Sequence, residues 1–371
     1  MHIICLQEKL KQALSITERI IGRNLTLPIL NNVLLTVENN KLKISSTNLE
    51  IGISCWISGK IEQNGSITIP AKLISNFIGN LPKGKIELKT KDNQLEVKSE
   101  NFKSKIKGLS ADDFPIIPQL KEDPIMVLKK NNLKEGLSQV VKMASFSDSR
   151  PEISGVYMNF DKNNLKLVAT DSFRLAEKNL ELSNKINIDP VIIPQRTIQE
   201  VIRILGEEDL SDNQKNDVSV ILSQGQVLFD FGSVQVVSKL IEGQYPDYQQ
   251  LIPSDLQTQL ILNREDLIKN IKVASLFGGK ANGVKLDIKS KDQALEISSK
   301  DTDLGENKSN VSAKVEGKDL SIDFNYLYIL DGLNHIYSDK IIFGFNSNNS
   351  PAIIKPVGDV SYTYVIMPIK V

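Results

Sequence analysis

Two histidines, two cysteines and one tryptophan are all that 371 residues hold of these types, and each scarcity closes off a function. Cys5 and Cys55 cannot build a disulfide framework and supply no metal-ligand spacing. They read as small buried hydrophobes. His2 and His335 stand beside no nucleophile and no carboxylate constellation of the kind catalysis needs. A Gly-rich phosphate loop and a dinucleotide fingerprint are both missing. Acidic residues are plentiful, but none is paired in a metal-binding pattern. An enzyme is therefore disfavoured, and neither metal nor cofactor is expected.

Long apolar runs are missing too, so no membrane span is expected. The opening residues, Met1-His2-Ile3-Ile4-Cys5-Leu6-Gln7-Glu8-Lys9, turn polar too soon for a secretory leader. A reduced, cytoplasmic protein is expected. Net charge is absent as well: 45 basic side chains balance 45 acidic ones. That argues against nucleic-acid binding over the whole surface but allows one basic face offset elsewhere. Aromatic residues make up only 6% of a chain that is 40% hydrophobic, so the cores must be built from Ile, Leu and Val, which favours strands.

What is present is repetition. The segment Pro28-Ile29-Leu30-Asn31-Asn32-Val33-Leu34-Leu35-Thr36-Val37, followed by Lys41-Leu42-Lys43-Ile44 and Thr47-Asn48-Leu49-Glu50, has a second version. That version runs Ile153-Ser154-Gly155-Val156-Tyr157-Met158-Asn159-Phe160, Leu165-Lys166-Leu167-Val168 and Thr170-Asp171-Ser172-Phe173. Asn31 precedes Thr47 by the same interval as Ser154 precedes Thr170. A third version runs Asn282-Gly283-Val284-Lys285-Leu286-Asp287-Ile288, Ala294-Leu295-Glu296-Ile297 and Asp301-Thr302-Asp303-Leu304. Helical stretches precede the copies at residues 10–21, 133–144 and 267–276. Matching blocks follow at Ile69-Pro70-Ala71, Ile193-Pro194-Gln195 and Asp323-Phe324-Asn325.

A period of roughly 120 to 130 residues makes each copy a domain and not a solenoid brick. The expected domains are residues 1–122, 123–253 and 254–371. Asp112-Asp113-Phe114-Pro115 and Tyr245-Pro246-Asp247-Tyr248 read as exits into linkers. Within a copy, alternation such as Lys85-Ile86-Glu87-Leu88-Lys89 predicts strands with one wet face. The fold class is α+β, with two helices backed by antiparallel sheets in each of three similar domains. Three like domains in line meet through heterologous interfaces, which permit closure into a ring with a second chain. The helices lean basic: Lys9, Lys11, Arg19 and Arg23; Lys134, Lys142, Arg150, Arg196 and Arg203; Arg264, Lys269, Lys272 and Lys280. Gathered on one surface, they would suit phosphate contacts without base reading. Ordinary solvated helix faces would look the same.

Several motifs resemble one family. Ala169-Thr170-Asp171-Ser172-Phe173-Arg174-Leu175-Ala176 is similar to the T-D-x-x-R-L-A signature of bacterial DNA polymerase III beta subunits, the sliding clamps. Thr26-Leu27-Pro28-Ile29-Leu30, Ala111-Asp112-Asp113-Phe114-Pro115 and Gly243-Gln244-Tyr245-Pro246-Asp247-Tyr248 resemble further segments of that family. So do Phe324-Asn325-Tyr326-Leu327-Tyr328 and the ending Tyr364-Val365-Ile366-Met367-Pro368-Ile369-Lys370-Val371. The resemblance covers the full length in the right order.

It implies a homodimer closing head to tail into a six-domain ring around double-stranded DNA, helices inward. Such a ring serves as a processivity factor that an ATP-driven clamp loader opens. Its partners would be the replicative polymerase alpha subunit and other proteins with clamp-binding motifs. The partner-peptide pocket maps onto Thr170, Ser172, Phe173, Arg174, Leu175, Pro246, Gln250, Leu251, Val365, Ile366, Met367, Pro368 and Ile369. From the residues alone, 365–369 is a plain terminal strand. DNA contacts are expected at Arg23, Asn24, Lys72, Arg150, Arg196 and Arg203, and the ring junction near Ile106 and Leu276. Four departures bear on affinity. Ser172-Phe173 stands where relatives often carry Gly-His, Gln250 where they often carry Arg, Lys370-Val371 in place of the common Arg-Leu ending, and Asn24 where Arg is frequent. The rival to this reading is a three-domain peptide-binding scaffold that never encircles DNA.

Overall fold

Alternating apolar residues along short segments place the strands, and the side chains that alternation sends inward decide which faces pack. The computed structural model describes every residue except 23–25, 39, 148, 209, 211–215 and 370–371. The candidates Arg23 and Asn24 lie outside the described residues, as does the Lys370-Val371 ending.

The described residues fall into two compact units. One contains residues 1–134 and 196–240. Its first sheet runs β5 (Lys60–Gln63), β1 (His2–Leu6), β7 (Lys85–Lys91), β8 (Gln94–Ser99), β9 (Phe102–Lys107). Its second sheet starts with β10 (Met126–Lys129), β14 (Asp217–Ser223), β15 (Gln226–Asp230) and β16 (Val234–Lys239). It continues with β4 (Ile51–Ser58), β3 (Lys41–Thr47), β2 (Asn32–Glu38) and β6 (Gly65–Pro70). Antiparallel pairing of β16 with β4, Val236 opposite Ile53, carries this sheet from the second repeat copy into the first. Burial pushes the Cys5 thiol up to about 12 and the Cys55 thiol higher still, so both are inert core residues.

The other unit contains residues 135–195 and 241–371. Its single sheet begins β13 (Val191–Pro194), β11 (Gly155–Thr170), β12 (Arg174–Ile186), β24 (Tyr362–Ile366), β23 (Ala352–Pro356), β22 (Lys340–Phe345). It goes on through β17 (Thr258–Asn263), β20 (Gly305–Glu316), β19 (Ala294–Asp301), β18 (Gly283–Lys289) and β21 (Leu320–Asn325). Here the crossing from second to third copy is β12 with β24, Leu175 opposite Val365.

Each copy supplies two helices: α1 (Gln7–Glu18) and α2 (Ala71–Gly79), α3 (Lys130–Val140) and α4 (Gln195–Leu205), α5 (Arg264–Ser275) and α6 (Tyr326–Asn334). The leading helix of each copy starts three residues before the position expected from its apolar pattern. The pattern first registers at the buried Leu10, Leu133 and Leu267, whereas the preceding polar turn leaves no apolar trace. The cap is legible at α5, where the Asn263 side chain accepts from the Asp266 N–H at 3.1 Å. The helix expected over 133–144 ends at Val140 and tightens into a 3₁₀ turn, Val141–Met143. Arg150, grouped above with the helices, lies beyond that turn in a loop.

The repeat extends to turn chemistry. Asn48 Oδ1 accepts from the N–H groups of Glu50 and Ile51, and Asp171 Oδ1 accepts from those of Phe173 and Arg174. In the third copy Asp301 Oδ1 accepts from Asp303 and Leu304. Asp301 therefore corresponds to Asn48 and not to Thr47, a one-residue correction to the alignment above. The acceptor that closes the turn fixes the register.

Candidate functional site

A turn, a linker and the terminal strand meet over one apolar cluster in the second unit, the expected partner groove. Where β11 meets β12, Thr170 Oγ1 donates to the Arg174 carbonyl at 2.7 Å and accepts from the Ser172 N–H at 3.1 Å. Ser172 has φ 78°, the left-handed region, so the chain reverses sharply and projects Phe173 outward, 59% exposed. The terminal strand is tied to this turn, with Arg174 opposite Ile366 and the Met367 N–H donating to the Phe173 carbonyl at 2.8 Å. Ile369 is anchored in turn by its N–H to the Asp323 carbonyl at 2.8 Å.

Beneath the turn and the linker lies one apolar cluster of Ile153, Val168, Leu175, Ile192, Tyr245, Tyr248, Ile353 and Val365. Tyr157 stacks on Tyr245 with ring centroids 4.5 Å apart, and both meet Tyr248 edge-on. The Tyr248 hydroxyl donates to Glu177 Oε2 at 2.6 Å. Burial and that carboxylate hold it protonated, far above the usual tyrosine range. The linker is thus pinned by three rings and opens an apolar surface edged by exposed Leu251 and half-buried Pro246, Met367, Pro368 and Ile369. Such a surface takes apolar anchors, while the peptide groups of turn and strand orient what binds.

Not every expected pocket residue faces this cluster. Side chains alternate along β24, so Val365 joins the cluster, whereas Ile366 shares the opposite face with Tyr364, whose ring lies against Gly332 of α6. Ile366 is fully buried on the α6 side, away from that cluster. Arg174, opposite Ile366, turns to α6 as well. Its Nε donates to Asp171 at 2.9 Å, it pairs with Asp331, and its guanidinium lies 4.7 Å from the Tyr328 ring centre. Lys142 pairs with the same Asp331. Burial alone would raise the Asp331 carboxyl, but the two cations outweigh it and hold it below the usual range. Phe173 stacks 6.2 Å from Tyr328. Gln250 is spent locally, donating to Asp247 at 2.7 Å.

The expected DNA contacts are distributed differently. Lys72, Arg196 and Arg203 are exposed on α2 and α4; Arg203 pairs with Glu200, and Arg196 donates to the Ile20 carbonyl at 3.1 Å. Arg150 donates to Ser172 Oγ at 2.8 Å, which places it on the groove rim. At the expected junction Leu276 is 67% exposed, while Ile106 is buried and its strand β9 forms a sheet edge. Sequence reading missed Tyr157, Tyr248, Ile353, Asp331 and Lys142. Only Tyr248 left a signal, in the linker exit Tyr245-Pro246-Asp247-Tyr248. Among the described residues no group of acidic, His or Cys side chains is arranged to hold a metal, and no helix is long and apolar enough to cross a membrane.

Family models of the DNA polymerase III beta subunit match the chain three times in succession. The N-terminal domain matches residues 1–118, the central domain 127–247 and the C-terminal domain 249–370. The chain belongs to the DNA polymerase III beta subunit family. A beta sliding clamp of Synechocystis sp. is 31% identical over 394 residues, covering 100% of this chain and 99% of that protein. The sliding clamp structure from Bacillus subtilis superposes with a TM-score of 0.94 at 28% identity, over 100% of this chain and 99% of the other. A sliding clamp from Bartonella birtlesii bound to griselimycin gives 0.92 at 30% identity, with both chains fully covered. The family's fold is the three-domain α+β architecture seen here, and its function is that of a DNA polymerase processivity factor.

Proposed function

We propose that two copies of this chain close head to tail into a six-domain ring around duplex DNA, with no catalytic role. Partner proteins dock on the ring through the groove of Leu175, Tyr245, Tyr248 and Val365. The groove carries the reading: an apolar floor continuous with exposed apolar side chains, beside a turn whose shape is over-determined by hydrogen bonds. The partners are the clamp loader, the replicative polymerase alpha subunit and other proteins with clamp-binding motifs, in the cytoplasm. In this reading the domains span residues 1–122, 123–253 and 254–371.

Two sheet edges support the ring junction. Strand β9 ends its sheet. The stretch Gly305–Ser312 of β20 pairs with β19 on one side, whereas β17 takes only Ala313–Glu316. A strand edge with open peptide groups is a template for another chain. Near-zero net charge suits a slider that needs phosphate attraction only inside the ring and must not hold one phosphate tightly. Exposed Lys72, Arg196 and Arg203 are the described candidates for that surface.

The test is loading onto nicked circular DNA with the cognate loader and ATP, followed by cutting the circle. Release on cutting is the expected result and shows topological linkage. Retention after cutting, or failure to load where a known clamp loads with its own loader, overturns the ring and favours a non-encircling scaffold.

A further inference from the structure

The groove has a counterpart in the first unit, built from the corresponding residues. Thr47 Oγ1 donates to the Ile51 carbonyl at 3.0 Å and accepts from the Leu49 N–H at 3.0 Å, as Thr170 does with Arg174 and Ser172. Leu49 has φ 75° against 78° at Ser172. Strand β16 lies on β4 with Val237 opposite Gly52, as Val365 lies opposite Leu175. The Lys239 N–H donates to the Glu50 carbonyl at 3.0 Å, the same closing bond that Met367 makes to Phe173. The linker repeats as well: Phe114-Pro115-Ile116-Ile117 stands for Tyr245-Pro246-Asp247-Tyr248, with Phe114 buried as Tyr245 is.

The two sites differ in filling. Gly52 replaces Leu175, and the side chain of Ile117 occupies the room so freed; a Cβ on Gly52 would stand 2.8 Å from Ile117 Cγ2. What remains is a cavity of about 120 Å³ lined by Leu49, Gly52, Ile116, Ile117 and Val237 on its apolar side and by polar groups that include Glu50 and Lys239 on the other. That is slightly less than the roughly 150 Å³ that accommodates benzene, and it matches one branched aliphatic side chain. Its mouth is flanked by apolar residues in water, Ile116 at 93% exposure and Leu49 at 45%. The nearby charges, Glu50 and Lys239, pair with each other at 3.1 Å and leave the mouth electrically neutral.

We propose that this cleft is a second docking site, which takes a single Leu, Ile or Val side chain from a short apolar segment of a partner protein. The proposal rests on the reading of the first groove as a peptide site, because the shared frame supplies the analogy.

The test is methyl NMR of the full-length chain, labelled at Ile, Leu and Met methyls, titrated with acetyl-Ser-Leu-Ser-amide. Acetyl-Ser-Ala-Ser-amide serves as the control without an anchor. The leucine peptide is expected to shift Ile116 and Ile117 saturably, and the alanine peptide to bind roughly tenfold or more weakly. The double variant Leu49→Ser, Ile116→Asp, which removes the exposed apolar rim, should abolish the Ile117 shift while those of Met367 and Ile369 persist. Shifts at Met367 and Ile369 with Ile116 and Ile117 unmoved overturn the second site alone. Shifts at Ile116 and Ile117 alone sustain it and overturn the first groove as a peptide site. No shift at either place overturns both.

Discussion

The Met367 N–H donates to the Phe173 carbonyl at 2.8 Å, which fastens the end of the chain to the turn between β11 and β12. Met367, Pro368 and Ile369 are thereby held beside the apolar cluster. Ending the chain at Ile366 should abolish partner binding at the first groove while β24 keeps its pairing with β12 and β23. The melting temperature should fall by no more than about 2–4 °C, since the segment contributes little buried area. Parallel calorimetry and peptide titration of the truncated chain check both halves.

Arg174 is held by Asp171 and Asp331 with only 12% of its side chain exposed. Asp331→Ala leaves that guanidinium half-paired near Tyr328, at a cost of about 2 kcal/mol read by urea denaturation. The pH dependence follows from the depressed Asp331 carboxyl. Its contribution is complete above the ordinary aspartate range and is lost as pH falls through its lowered folded value. The wild-type chain should therefore lose more stability than the variant over the acid limb.

Gly332 of α6 lies where a Cβ would stand 2.4 Å from the Tyr364 ring. That ring is fully buried and its hydroxyl donates to the Tyr328 carbonyl at 2.7 Å, so it has nowhere to retreat. Gly332→Ala should destabilise by about 1–3 kcal/mol despite the better helix propensity of alanine. A thermal melt showing stabilisation would contradict this packing.

Phe173 is mostly in water and, among the described residues, stacks on Tyr328. Phe173→Ala should leave stability within about 0.5 kcal/mol. It should weaken partner peptides roughly tenfold if the ring forms part of the rim. Titration calorimetry with a partner peptide decides the point; an unchanged affinity would place the rim elsewhere.

Composition and spacing already determined much of this protein. The equal intervals from Asn31 to Thr47 and from Ser154 to Thr170 reveal the repeat, and the alternating strands announce antiparallel sheets. The scarcity of His and Cys removes most catalytic chemistry. These features are local or periodic, so they survive in one dimension. The tertiary structure decided which face of each strand meets which neighbour. Val365 and Ile366 are adjacent and equally apolar, yet one floors the groove and the other backs onto α6, because the pairing of β24 with β12 sets the face. Arg150 reads as one more basic residue until the fold brings Ser172 to within 2.8 Å of it. Asp331 is an ordinary helical carboxylate until Arg174 and Lys142 arrive from distant parts of the chain. Contacts between residues far apart in sequence leave no local pattern, and the chemistry of a site assembled from them belongs to the fold.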